Sequence, residues 1–198
     1  MPASRPQRLL IGLLTSAVAV GGVMIALTAF LHVRAPAAPR TEFASPSENW
    51  SEESWPFAID QWGTGRAFRC DDGACGAGLH LYLRAKIGFC RCATGVADDD
   101  EIDRIGDTEL FGSDYQSTVP GHPVVAGMLK GRARQFAVHR AFASSTPVLT
   151  IALANKCDAV VATVAAGSEL TPAQEAAAID FLRGDQIQHW AAANTQSQ

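Results

Sequence analysis

Four of the five cysteines lie within one short stretch of the chain, and their chemistry is the first guide to what the protein could do. The stretch contains Cys70, Cys75, Cys90 and Cys92, and the fifth cysteine is Cys157. Cysteines either join in disulfides that hold a fold together or keep reactive thiols for metal binding and thiol exchange. All five are disulfide candidates, but five cysteines cannot all pair within one chain.

The spacing of the cysteines favours two disulfides. Cys70 and Cys75 flank an Asp-Asp-Gly turn, which brings its two ends together. Cys90 and Cys92 suit each other poorly, because in an extended segment their Cα atoms lie about 6.5–7 Å apart, at the limit of disulfide reach. The sequence therefore predicts one bridge from Cys70 to Cys75 and another from Cys157 to either Cys90 or Cys92.

The Cys90-x-Cys92 pair also permits a metal-binding interpretation. Two neighbouring thiolates suit Cu(I) or zinc, and Cys70 with Cys75 could complete a four-sulfur zinc site. The Cys-x-x-Cys pairs of a zinc ribbon do not occur in the sequence. The favoured prediction has no cofactor, and copper or zinc at Cys90 and Cys92 is the alternative.

Phe89-Cys90-Arg91-Cys92, which follows a short tail and one long apolar segment, resembles the CtaG-type copper chaperones of cytochrome oxidase assembly. That family has a short inner tail, one membrane span and an outer domain with a Cys-x-Cys motif. The resemblance covers only these four residues and the overall plan, and the flanking residues depart from the family. Copper handling is what the resemblance implies, and it is not carried over to this chain.

Charged residues suggest two further features. Lys130, Arg132 and Arg134 form a basic cluster at the tip of a predicted hairpin between strands 124–129 and 133–139, where an anionic ligand could bind or the tip could be solvated surface. Asp98 begins an acidic run that predicts a short, capped and solvated helix with Ile102 facing inward.

Residues 9–31 form an uncharged apolar segment of 23 residues. A helix of that length spans about 35 Å, enough for a bilayer core of about 30 Å. A cleaved signal peptide has a shorter apolar core of about 7–15 residues, although an Ala-x-Ala-like site at 35–37 leaves cleavage open. The predicted organisation is a cytoplasmic tail (1–8), a transmembrane helix (9–31), a Pro/Ala/Ser-rich linker (32–54), a globular domain (55–194) and a frayed tail (195–198).

The globular domain has the patterns of an α+β fold. Leu79, Leu81 and Leu83 alternate with polar residues, which predicts a strand with one buried face and one wet or half-wet face. Residues 147–154 and 159–164 are apolar enough for central strands. Thr171 begins a capping box, and two C-terminal helices follow. The sequence thus predicts an antiparallel or mixed sheet followed by two helices, after a single transmembrane helix.

The composition of the chain limits its possible functions and its location. The formal net charge of −4 argues against nucleic-acid binding. The cysteines suit an oxidising compartment, and the Ala-rich composition suits a bacterium, so we expect a single-pass inner-membrane protein with its domain in the periplasm. No sequence motif of a hydrolase, metalloprotease or nucleotide-binding enzyme is present. His80 and His139 could meet across a sheet.

The favoured function is an accessory, assembly or binding protein without catalytic activity of its own. Its expected partners are the lipid bilayer, through residues 9–31, and another membrane or periplasmic protein. The alternative is a thiol-redox or copper- or zinc-handling protein that acts through Cys90 and Cys92.

Overall fold

The computed structural model describes residues 48–76, 78–139 and 144–195. The predicted tail at 1–8, the transmembrane helix at 9–31, most of the linker and residues 196–198 therefore lie outside the described residues. No helix in the described ranges combines the length and the apolar character that crossing a bilayer requires.

Eight strands in the described residues form one antiparallel sheet. The strands are β1 Trp50–Glu53, β2 Arg66–Cys70, β3 His80–Lys86, β4 Asp114–Ser117, β5 His122–Ala126, β6 Leu129–His139, β7 Thr146–Asn155 and β8 Asp158–Ala165. Their spatial order is β1-β2-β3-β8-β7-β6-β4, and β5 pairs with the first half of β6 beside β4. Every pair is antiparallel, so the mixed sheet that the sequence left open is excluded.

The helices of the described residues are α1 Asp72–Cys75, α2 Asp99–Ile105, a 3-10 turn Thr108–Leu110, α3 Pro172–Arg183 and α4 Asp185–Asn194. The predicted capping box of α3 is present, because Thr171 and Gln174 exchange side-chain and backbone hydrogen bonds. The helix ends at Arg183, with Gly184 as its C-cap. The α+β architecture with two C-terminal helices is therefore confirmed.

Helices α3 and α4 cover one face of the sheet. Phe181 of α3 stacks on Trp50 at 4.6 Å between ring centroids and meets Phe68 edge-on at 4.8 Å. Trp50 is buried, and β1 pairs along its whole length with β2. The globular domain therefore includes Trp50, which the sequence had placed in the linker. A four-residue strand among prolines and acids is too short to show a strand pattern.

The opposite face of the sheet is also covered, by the segments that follow β1 and β3. The sequence predicted a wet or half-wet side for β3, and this was wrong for Tyr82 and Arg84, which are buried. Tyr82 packs edge-on against three aromatic rings of the covering segments, those of Trp55, Phe57 and Phe111. His80 stays half-buried, with Nδ1 2.7 Å from a Glu53 oxygen.

A buried ionic cluster joins this second face to its cover. Arg84 donates to both oxygens of Asp107, at 2.9 and 2.8 Å, and to both oxygens of Asp60, at 2.7 and 2.8 Å. The ammonium of Lys86 lies 2.8 Å from Asp107 Oδ1. The side chains of Arg84 and Asp107 are only 1% and 2% exposed, so neither charge can be satisfied by solvent.

Helix α2 supplies a second set of carboxylates to the same face. Asp98 caps the helix as predicted, accepting the Glu101 N–H at 2.8 Å. The acidic run is not simply a solvated face, however. Asp99 accepts from Arg132 Nε at 3.0 Å, and Asp103 accepts from Arg134 Nη1 at 2.7 Å. Asp99 and Asp103 of α2 are therefore the counterions of two arginines on β6.

The hairpin between β5 and β6 forms, but its turn lies earlier than the predicted 130–132. The turn residues are Gly127 and Met128, and Gly127 has a φ of 62°, which glycine adopts at little cost. Residues 130–132 continue β6 instead, where Gly131 lies so close to β7 that a Cβ would overlap the Ala152 carbonyl oxygen. The polar stretch between α2 and β5 contains the 3-10 turn and β4.

Replacement of Asp107 with alanine should destabilise the domain strongly. The change removes the carboxylate shared by Arg84 and Lys86, so buried Lys86 loses its counterion among the described residues and Arg84 keeps only Asp60. We therefore expect a loss of about 3–5 kcal/mol in the free energy of unfolding. Reversible urea unfolding of the full-length chain measures the loss. The matched control is Asp180→Ala, which breaks the exposed pair with Arg183 and should cost about 1 kcal/mol or less. Equal losses in the two variants would contradict the structural role of the cluster.

Candidate functional site

The structure contains the predicted disulfide bonds. One joins Cys70 to Cys75, and the other joins Cys92 to Cys157. Cys90 is a buried free thiol. Cys157 therefore pairs with Cys92, and the first bridge is the local one that the Asp-Asp-Gly turn indicated.

The two-residue turn between β7 and β8 brings Cys157 to the loop after β3. Asn155 and Asp158 are the last paired residues, and Lys156 adopts a left-handed φ of 58° at the turn. The Cys90 N–H donates to the Cys157 carbonyl at 3.0 Å. The Gly88 N–H donates to Asp158 Oδ1 at 2.6 Å. These bonds hold the Cys-x-Cys segment along the turn.

The Cys90 thiol is enclosed beside the second disulfide. Its Sγ lies 3.3 Å from the Lys156 carbonyl oxygen and 3.2 Å from that of Asp158, so the thiol can donate to either. Burial raises the pKa of Cys90, and the nearby charges of Glu101 and Asp158 raise it further. Cys90 is therefore a protonated, shielded thiol at neutral pH.

Glu101 of α2 anchors the Cys-x-Cys segment, a role that the sequence did not reveal. This buried carboxylate accepts from the Arg91 N–H at 3.2 Å and from Arg104 Nη2 at 2.7 Å. The same Arg104 nitrogen donates to the Phe89 carbonyl at 2.7 Å. Sequence patterns could not find this role, because an acid in the first turn of a helix is equally expected for capping.

An open groove of about 360 Å³ lies beside the Cys92–Cys157 disulfide. The register of β6 and β7 brings two lysines to this groove, because Lys130 of β6 lies opposite Ala154 of β7, two residues before Lys156. Lys130 and Lys156 are exposed, and neither forms an ion pair with a carboxylate of the described residues. Met128, at the rim, is 92% exposed. The groove therefore combines uncompensated positive charge with an exposed apolar side chain.

In the structure, the three residues of the predicted anion site have different surroundings. Arg132 and Arg134 bind Asp99 and Asp103 of the same chain, as described above. Lys130 lines the groove, together with Lys156, which the sequence did not place in the cluster. Binding of an external anion at Lys130 stays a prediction, and Lys156 replaces the two arginines as its neighbour.

The predicted metal ligands are not brought together. Cys92 is bonded to Cys157 and Cys90 is buried, so this arrangement does not present their sulfurs as a pair of thiolates. Cys70 and Cys75 lie at the opposite end of β3, far from a shared four-sulfur site. Across residues 48–76, 78–139 and 144–195, no group of three or more His, Cys, Asp and Glu side chains could hold a metal ion.

His80 and His139 do not meet either, because β8 and β7 lie between their strands.

The described residues form a small α+β domain with two disulfides, as expected for a stabilised domain of an extracytoplasmic protein. Comparisons of the chain with protein-family models, with curated proteins and with solved structures give no match.

The raised pKa of Cys90 predicts a loss of stability at alkaline pH that a Cys90→Ser variant should lack. The unfolded thiol releases its proton near its ordinary value of 9.0, whereas the folded thiol retains it. Above that pH the unfolded state binds fewer protons, so the free energy of unfolding falls with pH, at most about 1.4 kcal/mol per pH unit.

Urea unfolding of the full-length chain between pH 7.5 and about 9.5 measures this slope, with the disulfides verified by mass spectrometry at each pH. Burial also raises the pKa of Tyr82 above its ordinary value of 10.0. Its effect on the free energy of unfolding is the same in both proteins and begins only at higher pH. An equal slope in the wild-type chain and the serine variant would show that Cys90 does not titrate as described.

Proposed function

We propose that this chain is a membrane-anchored accessory protein whose extracytoplasmic domain binds a partner protein and carries no catalytic activity of its own. The uncharged segment 9–31 supports the anchor. The two disulfides support an oxidising compartment, which for a bacterium is the periplasm. The observation that carries the binding role is the groove beside Cys92, with its uncompensated Lys130 and Lys156.

The chemistry of the groove favours an acidic segment of the partner. Two exposed ammonium groups attract carboxylates, which raises the rate of association and selects against basic partners. Exposed ion pairs are worth only about 0.2–1 kcal/mol each, so charge alone does not give stable binding. Met128 and Pro123 supply an apolar surface next to the lysines. A methionine thioether adapts to different apolar side chains. The partner segment is therefore acidic and carries at least one apolar residue.

The other lysine and arginine side chains within residues 48–76, 78–139 and 144–195 each form an ion pair with a carboxylate of the same chain. Arg84 and Lys86 are buried with Asp107, and Arg132 and Arg134 are paired with α2. An external anion would have to displace these internal carboxylates, whereas Lys130 and Lys156 require no such exchange. An acidic partner can therefore bind at the groove without displacing a carboxylate of the described residues.

The predicted membrane topology is tested by reporter fusions at the C-terminus of the full-length chain. Alkaline phosphatase, which needs disulfides to be active, should be active in this position, and a cytoplasm-dependent fluorescent reporter should be dark. The opposite result would place the domain in the cytoplasm and would contradict an extracytoplasmic function.

Partner binding is tested by photo-crosslinking in cells that produce the full-length chain. A benzoylphenylalanine at Met128 or Thr94, both in the groove, should capture a protein, and the mapped peptide should be rich in Asp and Glu. The double variant Lys130→Glu/Lys156→Glu should lower the yield about tenfold, as expected for two ion pairs that become repulsive.

The matched control is Arg66→Glu/Arg69→Glu, which makes the same change of charge on β2, separated from β6 and β7 by β3 and β8. A crosslinker at exposed Ile59 controls for nonspecific capture. Equal yields at Ile59 and Met128, an unchanged yield after charge reversal in the groove, or a captured peptide without acids would each contradict the proposal.

A further inference from the structure

The two disulfides differ in their exposure to solvent. Cys92 is exposed in the groove and Cys157 is half-buried, whereas in the other bridge Cys75 is half-buried and Cys70 is completely buried. Thiol–disulfide exchange requires a thiolate to reach one sulfur along the S–S axis, so access decides which bond reacts first. The Cys92–Cys157 bond is therefore the more accessible of the two, and Cys92 is its exposed sulfur.

Cys157 lies between one positive and one negative side chain. Lys156 precedes it in the turn and lines the same groove, and an ammonium group lowers the cost of thiolate charge, whereas the carboxylate of Asp158, which follows it, raises that cost. Lys156 is exposed and forms no ion pair with a carboxylate of the described residues, so its ammonium group is available to a departing Cys157 thiolate.

Cys90 keeps Cys157 in place without competing for it. The Cys90 N–H holds the Cys157 carbonyl at 3.0 Å, and this bond does not depend on the disulfide. Its thiol is enclosed and directed at two carbonyl oxygens, so it is a poor nucleophile. A Cys157 thiolate released by exchange therefore stays beside Cys92 and can restore the original bond.

We propose that Cys92–Cys157 is an exchange-active disulfide that captures a thiol-bearing partner protein covalently in the groove. The partner thiolate attacks Cys92 Sγ and forms a new S–S bond with it. The Cys92–Cys157 bond breaks, and Cys157 leaves as a thiolate that takes a proton from solvent. One disulfide is consumed and one is formed, so the step needs no separate oxidant. Attack by Cys157 on the mixed disulfide releases the partner.

This inference goes beyond the proposed binding function and does not depend on the acidic character of the partner. An exposed disulfide can exchange even when no acidic segment binds, and an acidic segment can bind a groove whose disulfide is inert. The test therefore uses 2-mercaptoethanol, a small neutral thiol that does not require the lysines for binding.

The full-length chain is incubated with increasing 2-mercaptoethanol, free thiols are alkylated, and the peptides are mapped by mass spectrometry. We expect a mercaptoethanol adduct on Cys92 and a free Cys157 at thiol concentrations at least about tenfold below those that open Cys70–Cys75. The second disulfide of the same chain is an internal control, so the comparison does not depend on the folding of any variant.

Two variants assign the reacting sulfurs. Cys92→Ser/Cys157→Ser should form no adduct while Cys70–Cys75 stays closed, and Cys90→Ser should exchange like the wild-type chain. The proposal is overturned if both disulfides open only in denaturant, if the first adduct lies on Cys157, Cys70 or Cys75, or if Cys90→Ser abolishes exchange. Failure of the groove crosslinks with intact exchange would instead reject the acidic partner alone.

Discussion

The fold depends on the pairing of a cationic sheet face with an acidic cover. Arg84, Lys86, Arg132 and Arg134 project from β3 and β6 on one side of the sheet, and the carboxylates that meet them come from the covering segments and α2. Such a layer gains little net free energy, because each charge must lose its water before it meets its partner. The ion pairs matter instead for the geometry of the fold. A carboxylate must lie close to a buried guanidinium to pair with it, so the ion pairs fix where the covering segments lie on the sheet.

This fixed cover positions the candidate site. Glu101 lies on the same short helix as Asp99 and Asp103, so the helix that neutralises β6 also holds the Cys-x-Cys segment through Arg91 and Arg104. The Cys92–Cys157 bond then joins that segment to the β7–β8 turn. The groove therefore lies where the cover, the β6 strand and the turn meet, and each of its walls is held by a different interaction.

Local signals predicted the parts of the fold that depend on neighbouring residues. The capping box at Thr171 and Gln174 located α3, apolar runs located β7 and β8, and a turn sequence indicated the Cys70–Cys75 bridge. The parts that failed depend on distant residues. Arg84 was placed on a wet face because its partner Asp107 lies 23 residues away, beyond the range of any periodic pattern. Lys156 joins Lys130 only through the register of β6 and β7, which the alternation of side chains leaves undetermined by multiples of two residues.

The antiparallel sheet also determines how the domain would respond to mechanical load. The chain enters β1 at Trp50, beside Cys70 and the start of β3, whereas the groove lies at the other end of the strands, near Lys86 and Ala154. A pull between the chain preceding β1 and a molecule held in the groove would run along the strands. Their backbone hydrogen bonds would then be loaded in shear, all at once, and not opened one after another as in a zipper. For a load along this direction, the sheet would therefore resist with many backbone hydrogen bonds at the same time.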